Sequence, residues 1–278
     1  RGRNPLSDQV SVAVPLRDAI EEGRFGGKCV SLGTALRADL PAPNGYALAV
    51  DLVDAIANGD EQSISSVLPL FAELAPAVAV RSSAVGEDSV AASFAGQHLS
   101  VLNVMDAATM IGAIKQVHGS AFTEEAIGYR ARMGVDGEPA IAVVLQQQIL
   151  SEVAGVMFTK NPLTGDTERY IEASWGLGEA VVAGMVVPDS FRISVNGDLL
   201  EQVVGDKDIE LVACSEGETM EIEVEEDKVA AFCLNSNELE RLHGLALECE
   251  AVYGEHIDIE WAFHGGQLYL LQCRAITN

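Results

Sequence analysis

Near the C-terminal end, residues 258–274 read DIEWAFHGGQLYLLQCR, two runs of strand-type residues around Gly265-Gly266. Asp258, Glu260, Gln272 and Arg274 interrupt an otherwise apolar pattern. Alternate residues of a strand share a face, so Asp258 and Glu260 point one way and Ile259, Trp261 and Phe263 the other. On the second strand, Gln272 and Arg274 share a face with Leu268 and Leu270. A two-residue turn would set Glu260 opposite Leu271 and divide the polar groups between two faces. A three-residue loop, Gly265 to Gln267, sets Glu260 opposite Gln272 and Asp258 opposite Arg274; such loops with a left-handed glycine are common. The three-residue loop is the expectation, because it gathers all four groups. A carboxylate and an amide oxygen are hard ligands suited to Mg²⁺. A guanidinium offers paired donors to phosphate oxygens. Together they would hold a metal–nucleotide. The plainer reading is an exposed hairpin face with a surface salt bridge.

Other stretches offer compatible chemistry. Gly26-Gly27-Lys28 puts a flexible backbone, able to approach a phosphate, beside a cation. It is not a Walker A loop, which needs GxxxxGK[ST]. Val80-Arg81-Ser82-Ser83 ends an apolar strand with a guanidinium and two hydroxyls. Ser93-Phe94-Ala95-Gly96-Gln97 could fold over phosphates through its backbone N–H groups. Gln146 and Gln148 follow a buried-looking strand, where amides or adjacent main chain could read an adenine edge. Each also has an ordinary reading: a strand end in solvent, a tight surface turn, edge-strand amides.

The elements that must position these residues follow from periodicity. Residues 10–16 read as a strand, and a short helix follows FGGK to about Leu40. Residues 51–75 are helical in pattern, and 77–83 form a strand ending in polar residues. Residues 106–132 hold Met110, Ile114, Val117, Phe122 and Ile127 at helical spacing. IAVVLQQQI, AGVMFT and RYIEAS read as strands between turns, with further strands over 190–212. Residues 227–253 read as one amphipathic helix with Leu239, Leu242, Leu245 and Leu247 facing the core. This order predicts an α+β chain: a mixed first lobe to about residue 135 and a strand-rich second lobe from about 136. A ligand cleft would lie between them.

Composition narrows the function classes. The formal net charge of the 278 residues is −25, which argues against a nucleic-acid partner, since phosphate backbones need a basic footprint. No apolar run reaches the roughly 18–20 residues of a membrane span, and no secretory signal is expected. Cys29, Cys214, Cys233, Cys249 and Cys273 are scattered and lack CxxC spacing, so neither a zinc site nor a disulfide framework is expected. Thiols in a reducing cytoplasm fit better.

Taken together, FGGK (25–28), VRSSAVGEDS (80–89), SFAGQ (93–97), AGVMFTKNPLTGD (154–166), EASWGLGEAVVAGMVVPD (172–189) and DIEWAF…LYLLQCRAIT (258–277) resemble a known set. It is the N-terminal nucleotide-binding domain of the phosphoenolpyruvate synthase and pyruvate phosphate dikinase family, with rifampin phosphotransferase and phenylphosphate synthase as relatives. The resemblance implies an ATP-grasp-like fold with ATP between two lobes. It implies that ATP gives its β-phosphoryl to a histidine on a separate swivelling domain, releasing AMP and phosphate, and that an acceptor-binding domain takes the phosphoryl on. Carried over, Lys28, Arg81 and Arg274 would neutralise phosphates, and Glu260 and Gln272 would hold Mg²⁺ with Asp258 in support. Ser93, Gly96 and Gln97 would cover the phosphates, and Gln146, Gln148 and Ile149 would flank adenine. Cys29 and Ala275 depart from the family's usual glycine and proline. None of the chain's histidines sits in a phosphohistidine motif. The alternatives are a non-catalytic ATP- or AMP-binding regulatory module and an ordinary ATP-grasp ligase.

Overall fold

A computed structural model describes residues 12–86, 99–132 and 134–276. Its first sheet is antiparallel, in the order β1-β2-β5-β3-β4: β1 (Ala13–Pro15), β2 (Gly45–Leu48), β3 (Val78–Ala84), β4 (Ser100–Val104) and β5 (Ile141–Gln147). β3 and most of β5 are buried on both faces, which suits their nearly continuous apolar runs. On one face, Val143 and Leu145 pack with residues of helices α2 (Val50–Ala57) and α5 (Ala107–Ser120). On the other, Val144 meets Phe25 and Leu32 of α1 (Glu22–Arg37). Helices α3 (Glu61–Val67) and α4 (Leu70–Leu74) complete the span expected to be helical over 51–75. The stretch 106–132 is two helices. Thr123 starts α6 (Glu124–Arg132) by accepting the Ala126 N–H, which turns the chain and leaves Phe122 and Ile127 exposed, while Met110, Ile114 and Val117 are buried.

The second sheet is also antiparallel. It takes β6 (Val153–Phe158), β7 (Arg169–Trp175), β8 (Asp189–Ile193), β9 (Leu199–Val203), β12 (Ile257–His264) and β13 (Gln267–Ala275) in the order β13-β12-β6-β7-β8-β9. Helix α7 (Glu179–Val182) follows β7, and a two-stranded arm, β10 (Ile209–Ala213) with β11 (Thr219–Glu223), stands beside the sheet. The span 227–253 is likewise two helices, α8 (Glu226–Val229) and α9 (Ser236–Tyr253), because Asn235 and Glu238 form a capping box that begins α9 afresh. Leu239, Leu242 and Leu245 of α9 cover Ile259, Trp261 and Phe263 in one core; Leu247 points outward and is exposed. The sequence puts the change of lobe near residue 135. β5 lies beyond that point, in the middle of the first sheet, so the sheets change over between Gln147 and Val153.

Helix α1 serves both lobes. Its Ala35 belongs to the core beneath α9, and the Ser31 hydroxyl donates to the Cys273 carbonyl at 2.5 Å. Tyr253 on α9 donates to the Ser31 carbonyl at 2.6 Å. Just past α1, the Leu270 N–H donates to the Pro41 carbonyl at 2.9 Å.

Candidate functional site

The C-terminal hairpin closes in two residues. Gly265 (φ 55°) and Gly266 (φ 74°) both adopt left-handed backbone, the geometry of a tight turn whose twist matches its strands, and His264 pairs with Gln267. The expected three-residue loop is therefore corrected. The expected pairings nevertheless form: Glu260 lies opposite Gln272 and Asp258 opposite Arg274. A β-bulge between Glu260 and Trp261 supplies the odd residue, since Trp261 pairs with Leu270 and Leu271 is extra. One extra residue exchanges the faces of everything after it. Leu268 and Leu270 thus enter the core with Cys273, while Gln272 and Arg274 share the face of Glu260 and Asp258. The expected sharing of a face by Gln272 and Arg274 with Leu268 and Leu270 is corrected for the same reason.

The bulge has a chemical consequence. Arg81, buried on β3, donates from Nη1 to the carbonyl of Leu271 at 2.8 Å. Its Nη2 donates to Glu260 Oε2 at 2.9 Å and to Gln272 Oε1 at 3.0 Å. One cationic nitrogen from the first lobe therefore meets the carboxylate and amide oxygens of the second. Next along the hairpin, Arg274 Nε donates to Asp258 Oδ2 at 2.9 Å. Burial pushes the Asp258 carboxyl above its ordinary range, against the pull of Arg274.

Lys28 is brought alongside by a kink in α1. Gly26 has φ 73°, and a Cβ there would lie 2.2 Å from the Ser83 carbonyl oxygen. Ser83 Oγ donates to the Phe25 carbonyl at 2.8 Å and accepts the Cys29 N–H at 3.0 Å. Gly26 thus serves the approach of helix to strand, rather than the approach of backbone to phosphate that the sequence suggested. Lys28, itself buried, donates from Nζ to the Ser82 carbonyl at 2.9 Å, next to Arg81 in the chain.

Gln146, Gln148 and Ile149 line the same cleft, with Leu177, Glu179 and Glu260 among the other walls. The two amides are engaged within the protein. Gln146 donates to the Pro43 carbonyl at 3.1 Å; Gln148 donates to the Ile149 carbonyl at 3.1 Å and accepts the Asn103 N–H at 3.2 Å. The main chain is engaged too: the Gln147 and Gln148 N–H groups donate to the Asn44 and Ala77 carbonyls, each at 3.0 Å. Ser93, Gly96 and Gln97 lie outside the described residues.

Glu179 is the residue that sequence reasoning missed. Its carboxyl is pushed upward by burial, with Arg81 opposing and Glu260 adding to the rise. The signal available was an acid opening a short helix directly after Gly176-Leu177-Gly178. The free volume of the cleft is about 50 Å³, room for a few waters. A larger hollow of about 520 Å³ beside Tyr46 and Glu73 shares none of these residues.

The donor set bears on a metal. Among the described residues no group of three or more His, Cys, Asp or Glu could hold an ion. Glu260 and Gln272 instead offer two oxygens that already converge on one cationic nitrogen. The oxygen types suit Mg²⁺, which takes one or two protein oxygens and completes its shell with water and phosphate, but Arg81 Nη2 stands at that point here and would have to give way to the ion. Among the described residues no helix is long and apolar enough to cross a membrane.

Residues 61–278 match the family described as "Pyruvate phosphate dikinase, AMP/ATP-binding domain". The chain is 41% identical over 203 residues to a probable phosphoenolpyruvate synthase of Archaeoglobus fulgidus, covering 72% of this chain and 27% of that one. It is 35% identical over 240 residues to the phosphoenolpyruvate synthase of Pyrococcus furiosus (82% and 29%). It is 37% identical over 204 residues to a rifampicin phosphotransferase of Streptomyces sviceus (73% and 23%). The matched part thus spans less than a third of each of these relatives. Among solved structures, a D-alanine–D-alanine ligase from Bacillus anthracis complexed with ATP aligns over 94% of this chain and 57% of its own, with TM-score 0.38 and 11% identity. That likeness is too distant to bear on function. The family match and the sequence relatives agree with the motifs, and the chain belongs to the pyruvate phosphate dikinase AMP/ATP-binding domain family.

Proposed function

We propose that the chain binds Mg²⁺-ATP in the cleft crossed by Arg81, and that it is the ATP-binding component of a dikinase-type phosphotransferase. In this reading the β-phosphoryl of ATP passes to a histidine nitrogen on a separate domain or subunit. ATP, water and histidine give phosphohistidine, AMP and phosphate, and an acceptor-binding domain takes the phosphoryl on. The observation that carries the reading is the meeting of Arg81 with Glu260, Gln272 and the Leu271 carbonyl. With nucleotide bound, the two hard oxygens would pass from Arg81 to the metal and the guanidinium would turn to the phosphates beside it.

The residues divide the work by position. Arg81 and the neighbouring Lys28 supply positive charge from the first lobe, and Arg274, oriented by Asp258, supplies it from the second. Such fixed charges favour the transition state because they need not reorganise as charge moves. Glu260 and Gln272 would hold Mg²⁺, which supplies charge neutralisation and orients phosphate oxygens when bound. The segment 146–149 would flank the base, and Glu179 can accept from sugar hydroxyls.

Product analysis tests the reading. The chain is incubated with Mg²⁺-ATP and a histidine-bearing domain of a family member. AMP and phosphate with a phosphorylated histidine are expected. ADP as product would indicate ligase-type chemistry instead. ATP bound but unchanged with every such partner would favour the non-catalytic regulatory module.

A further inference from the structure

The arm β10–β11 touches both walls of the cleft. Midway along β10, the Leu177 N–H donates to the Leu211 carbonyl at 2.8 Å, and Leu177 lines the cleft wall that carries Glu179. At its tip, the turn between the strands reaches the first lobe. There the Asn103 side-chain amide donates to the Cys214 carbonyl at 2.8 Å and to the Glu218 carbonyl at 2.6 Å. Two carbonyl acceptors fix which way the amide points. Both of its N–H groups are used, and Asn103 is buried.

Asn103 is itself held in an unusual conformation. β4 slips register against β3 where Val80 faces Val101 but Val78 faces Val104, and Asn103 takes φ 54° within that irregularity. Asparagine tolerates left-handed backbone better than most residues, and bulges often re-aim a side chain near a site. The main-chain N–H of the same residue donates to Gln148, whose amide in turn holds the Ile149 carbonyl. One residue thus connects the arm to the strand end that lines the cleft.

We propose that Asn103 is a positioning residue that latches the β10–β11 arm between the two walls of the cleft, so that nucleotide enters and leaves only when this latch opens. The cleft is lined by Leu102 and Gln148 from the first lobe and Leu177 from the second, so an arm that joins Leu177 to Asn103 ties the two walls together. Helix α1 ties the lobes separately, through Ser31, Tyr253 and Cys273. The inference rests on the nucleotide reading of the cleft.

The test is stopped-flow binding of a fluorescent ATP analogue with Mg²⁺ to the parent and to Asn103→Gly. Glycine accepts the left-handed backbone, keeps the N–H that Gln148 receives, and removes only the amide. Loss of a pair of hydrogen bonds should raise the association and dissociation rates together by about tenfold, with a smaller change in affinity. A merely structural residue would not speed association. Unchanged rates in a folded variant overturn the latch and leave the nucleotide reading standing; no binding by the parent overturns both. Should the variant not fold, hydrogen exchange on the parent decides. Saturation with a non-hydrolysable Mg²⁺-ATP analogue should slow exchange of the amides over 214–219, and unchanged exchange there would overturn the latch.

Discussion

At the scale of single residues, the site is a matter of unlike groups sharing atoms. Glu260→Gln keeps the shape of the side chain but removes the charge facing Arg81 and the proposed metal. Charge-assisted bonds contribute about 1.5–3 kcal/mol, so Mg²⁺-ATP affinity should fall at least about tenfold; equilibrium titration checks it. A second carboxylate tests a structural network. Glu168, buried, accepts from Arg192 at 2.7 and 3.0 Å and from Asn161 at 2.6 Å, and the Arg192 hydrogen bonds hold its carboxyl below the ordinary range. A lowered folded-state value means stability that is present above the ordinary carboxylate value and lost as pH falls through the lowered one. Glu168→Gln should therefore cost about 1–3 kcal/mol at neutral pH, and the gap to the parent should narrow in acid, as read by denaturant unfolding across pH. Spacing made Glu260 and Gln272 legible as a facing pair, and the family resemblance joined Lys28 and Arg81 to them; the structure brings Arg81, Glu260 and Gln272 into hydrogen-bond contact. Neither spacing nor resemblance revealed that Gln146 and Gln148 spend their amides on Pro43 and Ile149, because those acceptors are backbone carbonyls with no sequence signature.

At the scale of elements, the hairpin shows what a pattern can and cannot specify. That Glu260 faces Gln272 follows from the polar spacing. Where the odd residue sits does not, because a longer loop and a bulged strand give the same pairing at that position. Gly265 and Gly266 permit the short turn, and Leu271 becomes the extra residue. Deleting Leu271 should move Gln272 and Arg274 to the core face and Cys273 off it. Loss of cooperative unfolding, or of nucleotide binding in any folded product, is the expected result; an intact site would refute the role given to the bulge. Helix boundaries were blurred for a related reason. Apolar spacing runs on through Thr123 and Asn235, but caps interrupt the backbone there. Asn235→Ala should remove the capping box that starts α9, costing about 1 kcal/mol in thermal or denaturant unfolding, with nucleotide affinity unchanged because the cap is remote from the cleft lining.

At the scale of the whole molecule, the two-lobed α+β order was legible from the sequence of elements, whereas the change of lobe was misplaced because strand β5 pairs with strands drawn from far earlier in the chain. The lobes meet through α1 on one side, Arg81 in the cleft and Asn103 at the arm. A ligand bridging them should therefore stabilise the whole. At a free concentration one hundred times Kd the gain is about 2.7 kcal/mol, visible as a rise in unfolding temperature that requires Mg²⁺ and ATP together. The most direct measurement of the central claim is calorimetric titration of Mg²⁺-ATP into the parent, Arg81→Ala and Glu260→Gln, each first shown by thermal unfolding to be folded. The account predicts saturable binding to the parent that is abolished or strongly weakened in both variants. A folded parent that does not bind, or variants that bind as the parent does, would contradict it.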